Sequence, residues 1–119
     1  RDLRMSRGLG DVYKRQASNH KMIHVIDYLN AHLTDDITID FLAEHFYLSR
    51  YHLMHAFKEE TGYTIGNYLT TKRLLLARDQ IAQGESITTA CYACGFHNYS
   101  TFSRAYRKHF GCSPREQRN

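Results

Sequence analysis

The stretch Leu53-x-x-Ala56-Phe57-Lys58-x-x-x-Gly62-x-Thr64 recurs forty-nine residues later as Phe102-x-x-Ala105-Tyr106-Arg107-x-x-x-Gly111-x-Ser113. Such self-similarity constrains the fold more than any composition does, because each copy must be one supersecondary unit and the two must be alike. Upstream, Ala43 pairs with Cys91 at an offset of forty-eight, so the second copy carries one more residue in its turn. Each copy reads as a short helix, a tight turn and a capped helix of about three turns. That is the helix-turn-helix order, in which the second helix is the one that enters a major groove. One copy alone would be explained as well by an ordinary helical hairpin; two copies on either side of one long helix are far more specific.

The rest of the chain has helical spacing from Lys21 onward. Met22, Ile23, Val25, Ile26, Leu29 and Leu33 recur every three to four residues and predict an amphipathic helix with these residues inward. Asp35, Asp36 and Thr38 interrupt it and offer caps for a short helix over 39–45. Ser49 is an N-cap for the next helix, with Leu53, Ala56 and Phe57 inward and Gly62 as its stop. Thr64 opens a long helix to about Gln83, ended by Gly84. At ~1.5 Å per residue that helix is ~30 Å long, a rigid spacer suited to successive major grooves ~34 Å apart on one DNA face. A second short helix spans 87–94, Gly95-Phe96-His97 is its turn, and Asn98 caps the last long helix to Phe110. Nothing alternates with a period of two, so the fold class is all-α. The parts are a first helix-turn-helix unit over 17–63, a linker helix over 64–83 and a second unit over 84–119.

Charge is distributed unevenly. The net charge of +4 hides an acidic stretch, 17–60, with three basic and seven acidic residues, and a basic one, 98–119, with five basic and one acidic. The basic C-terminal end fits a polyanionic partner. Residues 1–16 hold five Lys/Arg without an apolar period, and Asp11-Val12-Tyr13-Lys14-Arg15-Gln16 resembles a translated library adaptor. This leader is expected to be non-native and disordered, with the natural N-terminal part missing before Ala17. No eighteen-residue apolar run predicts a membrane span. Three cysteines, two of them three apart, are no secreted disulfide framework, which points to a reducing cytoplasm.

The segment Tyr92-Ala93-Cys94-Gly95-Phe96-His97-Asn98-Tyr99-Ser100-Thr101-Phe102-Ser103-Arg104-Ala105-Tyr106-Arg107-Lys108-His109-Phe110-Gly111-Cys112-Ser113-Pro114, with Arg118 beyond it, resembles the AraC/XylS family of bacterial regulators in its DNA-binding domain. Leu42-Ala43, Ser49, Leu53, Phe57-Lys58, Gly62, Tyr68-Leu69, Arg73-Leu74 and Ala77 are similar to the first half of that domain. The match runs over about 21–118 in order and spacing. Departures are Ala90-Cys91 where the family has Ile-Ala, Tyr106 for Phe, and Ile65 where a proline can stand. The resemblance implies about seven helices in two homeodomain-like bundles and a sequence-specific regulator that binds double-stranded promoter DNA. It also implies contact with RNA polymerase as an activator, and membership of a longer, effector-responsive protein. The isolated domain is expected to be monomeric and the full-length protein dimeric.

On the first reading helix the inward face leaves Arg50, Tyr51, Met54 and His55 outward, where Tyr and Met suit thymine methyls and purine edges better than a solvated face requires. On the second, Tyr99, Ser100, Ser103 and Arg104 are the base-reading candidates; Arg104 has the fork that takes guanine bidentately, with a phosphate contact or a surface ion pair as its alternative. Lys58, Lys72, Arg73, Arg107 and Lys108 are phosphate candidates, which position without reading sequence; Arg73 has a structural ion-pair role as its alternative. Cys91-x-x-Cys94 falls inside a scaffold helix and reads as packing rather than as a zinc or redox pair. The histidines show no H-E-x-x-H spacing, and neither a phosphate loop nor a nucleophile elbow is present. The expectation is no catalytic residue, no metal and no cofactor.

Overall fold

The computed structural model describes the backbone of residues 9–118 and the side chains of residues 20–116. Its helices are α1 (Leu9–Ala31), α2 (Ile39–His45), α3 (Arg50–Thr61), α4 (Ile65–Ala82), α5 (Ile87–Ala93), α6 (Tyr99–Phe110) and α7 (Pro114–Arg118), with no strand among the described residues. They fall into two compact units, the first from α1, α2 and α3, the second from residues 32–36 together with α4 to α7.

Short polar side chains set the helix starts. Thr38 accepts from the backbone N–H of Phe41 at 3.0 Å, Ser49 from that of His52 at 3.0 Å, Ser86 from that of Thr89 at 3.0 Å and Asn98 from that of Thr101 at 2.9 Å. Each satisfies a donor that the first turn would leave orphaned. At α7 the pairing is reciprocal: the N–H of Ser113 donates to Glu116 Oε1 at 2.9 Å and the N–H of Glu116 donates to Ser113 Oγ at 3.1 Å. This is a capping box, with Pro114 at the first helical position where no N–H is needed. The Ser113 backbone donor, seconded by Arg107, holds the Glu116 carboxyl below the usual carboxylate range. A depressed carboxylate stabilises the folded state above its unfolded-state pKa, so this contribution is lost as pH falls through the folded value. The repeat carries through to the helix ends, since α3 and α6 both close on a left-handed glycine, Gly62 at φ 85° and Gly111 at φ 82°.

In the first unit Met22, Val25 and Leu29 of α1 are buried, as are Leu42 and Ala43 of α2 and Leu53 and Phe57 of α3. In the second unit Leu74, Ala77 and Ile81 of α4 enclose one core with Ala90, Cys91 and Cys94, Phe102 and Tyr106. Burying an aromatic such as Phe57 or Phe102 in this way contributes roughly 1.5–3 kcal/mol. The helix read as a linker therefore also supplies one wall of the second unit.

Four details differ from expectation. Ile23 is 55% exposed, because six apolar residues in twelve exceed the width of the α1 face that packs. Backbone helix extends N-terminally to Leu9, so residues 9–16 of the expected leader are helical; its residues 1–8 lie outside the described residues. The long helix ends at Ala82, with Gln83 and Gly84 forming its terminating turn. Ser86, not singled out in the sequence, caps α5.

Candidate nucleic-acid interface

The inner face of α3 is fixed by Leu53 and Phe57, with Ala56 half-buried. The helical period then turns Arg50, Tyr51, Met54, His55 and Lys58 outward, and all five are exposed. Tyr51 is 76% and Met54 48% exposed, so both present apolar surface to solvent on the face opposite Leu53 and Phe57. The Tyr51 and His55 rings, one turn apart, stack with centroids 5.5 Å apart and planes 12° off parallel. Arg50 is engaged at its base: its Nε lies 3.3 Å from Asp40 Oδ1, with both side chains largely in solvent. Such an exposed pair contributes little to stability and yields readily to a stronger anion.

On α6 the buried residues are Phe102 and Tyr106, with Phe110 half-buried. Ser100, Arg104, Arg107 and Lys108 are exposed. Arg104 meets no partner among the described residues, which leaves its five donors available. Arg107 reaches Glu116 Oε1 at 3.4 Å, so it braces the α7 cap as well as facing solvent. Arg115, exposed on α7, adds a cation to the same unit; the sequence reading did not single it out, although Ser113-Pro114 is a helix-start signal that could have placed it in a folded helix.

Four candidates, Tyr99, Ser103, Arg73 and Lys72, are placed differently from the expectation of an outward, available group. Tyr99 is half-buried and packs on the second core, its ring centroid 6.1 Å from that of Phe102. Ser103 is half-buried. Arg73 is committed to the fold: its Nε donates to the carbonyl of Leu33 at 2.7 Å and a terminal nitrogen to that of Asp35 at 2.8 Å. Burial lowers the Arg73 pKa from its ordinary value, with Asp36 and Asp35 opposing. A guanidinium spending donors on two backbone carbonyls orders the 32–36 segment and is poorly placed to take a phosphate as well. Asp36 secures the same segment by a 2.6 Å contact with His97 Nε2. Lys72, half-buried, holds its ammonium 5.7 Å from the Tyr68 ring centroid, a weak cation–π contact one turn away.

The cysteines divide by burial. Cys91 and Cys94 are fully buried free thiols, and Cys112 is partly exposed. Burial, with Cys91 adding to it, pushes the Cys94 thiol up to about 11, and burial raises Cys91 too. At pH 8 a thiol of that pKa is on the order of one part in a thousand thiolate, the form that reacts. Labelling of the native protein with an aromatic disulfide reagent at pH 8 should therefore modify Cys112 first, with Cys91 and Cys94 reacting only on unfolding. Three thiols reacting at one fast rate would contradict the packing role. Among the described residues no group of three or more His, Cys, Asp or Glu side chains could hold a metal ion, and no helix is long and apolar enough to cross a membrane.

Residues 42–119 match the family model of a helix-turn-helix domain. A crystal structure of a transcriptional regulator with an AraC-type DNA-binding domain, from Chromobacterium violaceum, superposes with a TM-score of 0.75 at 32% identity, over 87% of this chain and 93% of that one. The chain belongs to the AraC/XylS family. Within it, the transcriptional activator RhaS of Escherichia coli O139:H28 is 37% identical over 95 residues, which is 79% of this chain and 34% of that protein. The chain thus spans about a third of the length of the curated relatives it matches. The DNA-binding domain of AdpA, solved in complex with a target DNA, has a TM-score of 0.77 at 25% identity, over 82% of this chain and 89% of that one. The AraC/XylS double helix-turn-helix accounts for the two equivalent outward faces on α3 and α6.

Proposed function

We propose that this chain is the DNA-binding part of a transcription regulator, with α3 and α6 as its two reading helices in successive major-groove segments of a promoter. The observation that carries the reading is the repeated register. At equivalent places in the two units an apolar inner face turns base-reading side chain types outward: Tyr51, Met54 and His55 in one, Ser100 and Arg104 in the other. The AdpA domain in its complex supports the same partner class. On this reading the domain engages DNA as a monomer, since it supplies both reading helices itself. The halves share the work unequally. The first unit, with Glu44, Glu59 and Glu60 exposed, relies on methyl and base-edge contacts, and the second adds phosphate neutralisation through Arg107 and Lys108.

Hydroxyl-radical footprinting on a site selected from random DNA tests this. Two protected segments on one face, about one helical turn apart, are expected. A single short footprint would mean that one unit alone engages DNA.

A further inference from the structure

We propose that His20 and His24 form a two-imidazole binding site for a borderline divalent transition metal, Cu2+ foremost, on the exposed face of α1. The two residues stand one helical turn apart, the spacing that makes side chains neighbours on one face. Both are exposed, and their ring centroids lie 4.9 Å apart with planes 89° to each other. A metal held ~2.0–2.1 Å from one nitrogen of each ring lies roughly 3.2 Å from each centroid. Centroids at the observed separation then subtend about 100° at the ion, between the ~90° of adjacent square-planar or octahedral positions and the ~109° of a tetrahedron. In the bound form one nitrogen of each ring turns toward that point, a rotation about side-chain bonds that the exposure of both residues leaves open.

Imidazole nitrogen selects Cu2+, Ni2+ and Zn2+ over Mg2+ or Ca2+, and the order of divalent affinities puts Cu2+ first. Two ligands leave the remaining positions to water. Binding is therefore reversible, and the site is a clip rather than a closed structural centre. Its consequence is local: Met22 and Val25, on the same two turns, belong to the first unit's core, and α1 packs on α3 in that unit. A metal that bridges residues 20 and 24 only when that stretch is helical stabilises the folded first unit by mass action.

The test uses the untagged chain with the metal salts alone. Titration with Cu2+ should show one site per chain whose electron paramagnetic resonance spectrum carries coupling to two nitrogens, with Ni2+ and Zn2+ weaker and Mg2+ without effect. His20→Ala and His24→Ala should each weaken this site at least tenfold and abolish the metal-induced rise in thermal midpoint. The double variant His20→Ala/Asp27→His, which sets a new histidine one turn beyond His24, should recover most of both. Cu2+ uptake with unchanged affinity and spectrum in the two single variants would overturn the proposal and assign the metal to scattered histidines elsewhere.

Discussion

Gly95→Ala should cost the second unit about 3–5 kcal/mol, a large share of what a small unit has. Two separate costs add at this position. Its φ of +103° lies beyond the narrow left-handed well open to residues with a Cβ, near +50° to +70°, and holding alanine there costs roughly 1–3 kcal/mol. A Cβ would also stand 3.1 Å from Arg73 Nε, 3.2 Å from the Thr34 carbonyl oxygen and 3.3 Å from Thr34 Cα. Neither side yields cheaply, because that Arg73 nitrogen is itself hydrogen-bonded to Leu33 and the Thr34 atoms are backbone. Gly111 provides the comparison inside the same unit: its φ is +82° but a Cβ meets nothing within 4 Å. Gly111→Ala should pay the strain alone, about 1–2 kcal/mol. Urea unfolding of both variants measures the difference, and equal losses would show that crowding at the turn contributes nothing.

The matching place in the first unit shows how far the repeat could be read from the sequence. Gly95 and Tyr47 occupy the same step of their turns, each immediately after the C-cap of the short helix. Tyr47 has φ 57°, inside the narrow left-handed well, and its side chain is 88% exposed, so a side chain is tolerated there at modest cost. The glycine-phenylalanine turn of the second unit was legible as a turn, whereas the left-handed step at Tyr47 was not, since nothing about tyrosine announces positive φ. The caps Thr38, Ser49 and Asn98 were legible because a short polar side chain before an apolar period has one obvious use. Ile23 was misplaced because periodicity alone does not say how wide a face will be covered. Arg73 and Tyr99 illustrate a different limit. A cation or a tyrosine at a helix surface has a packing use and a binding use, and only the position of Leu33 and Asp35, or of Phe102, decides between them. The helical period, once the inward residues are known, predicts the exposure of Arg50, Tyr51, Met54 and His55 on α3 and of Ser100 and Arg104 on α6, and these six are exposed; it does not account for the half-buried Ser103.

Arg104→Ala should weaken binding to the preferred site by ~1–3 kcal/mol, close to a full loss of discrimination at one base pair, while leaving binding to random DNA nearly unchanged. Its guanidinium is exposed and without a partner among the described residues. It sits in the first half of α6, the end of a recognition helix that reaches base edges. Lys108, exposed at the other end of the same helix, provides the contrast. Lys108→Ala should lower affinity for all sequences alike and reduce the slope of log affinity against log salt by nearly one, the signature of one phosphate contact. Arg107 is unsuited to that comparison, because its loss also removes the brace on Glu116. Affinities for the preferred site, for variants at each base pair and for random DNA, at two salt concentrations, separate the two roles. If Arg104→Ala weakens every sequence equally and flattens the salt slope, Arg104 is a phosphate clamp. The sequence preference of the second unit must then come from Ser100 or from the deformability of the site.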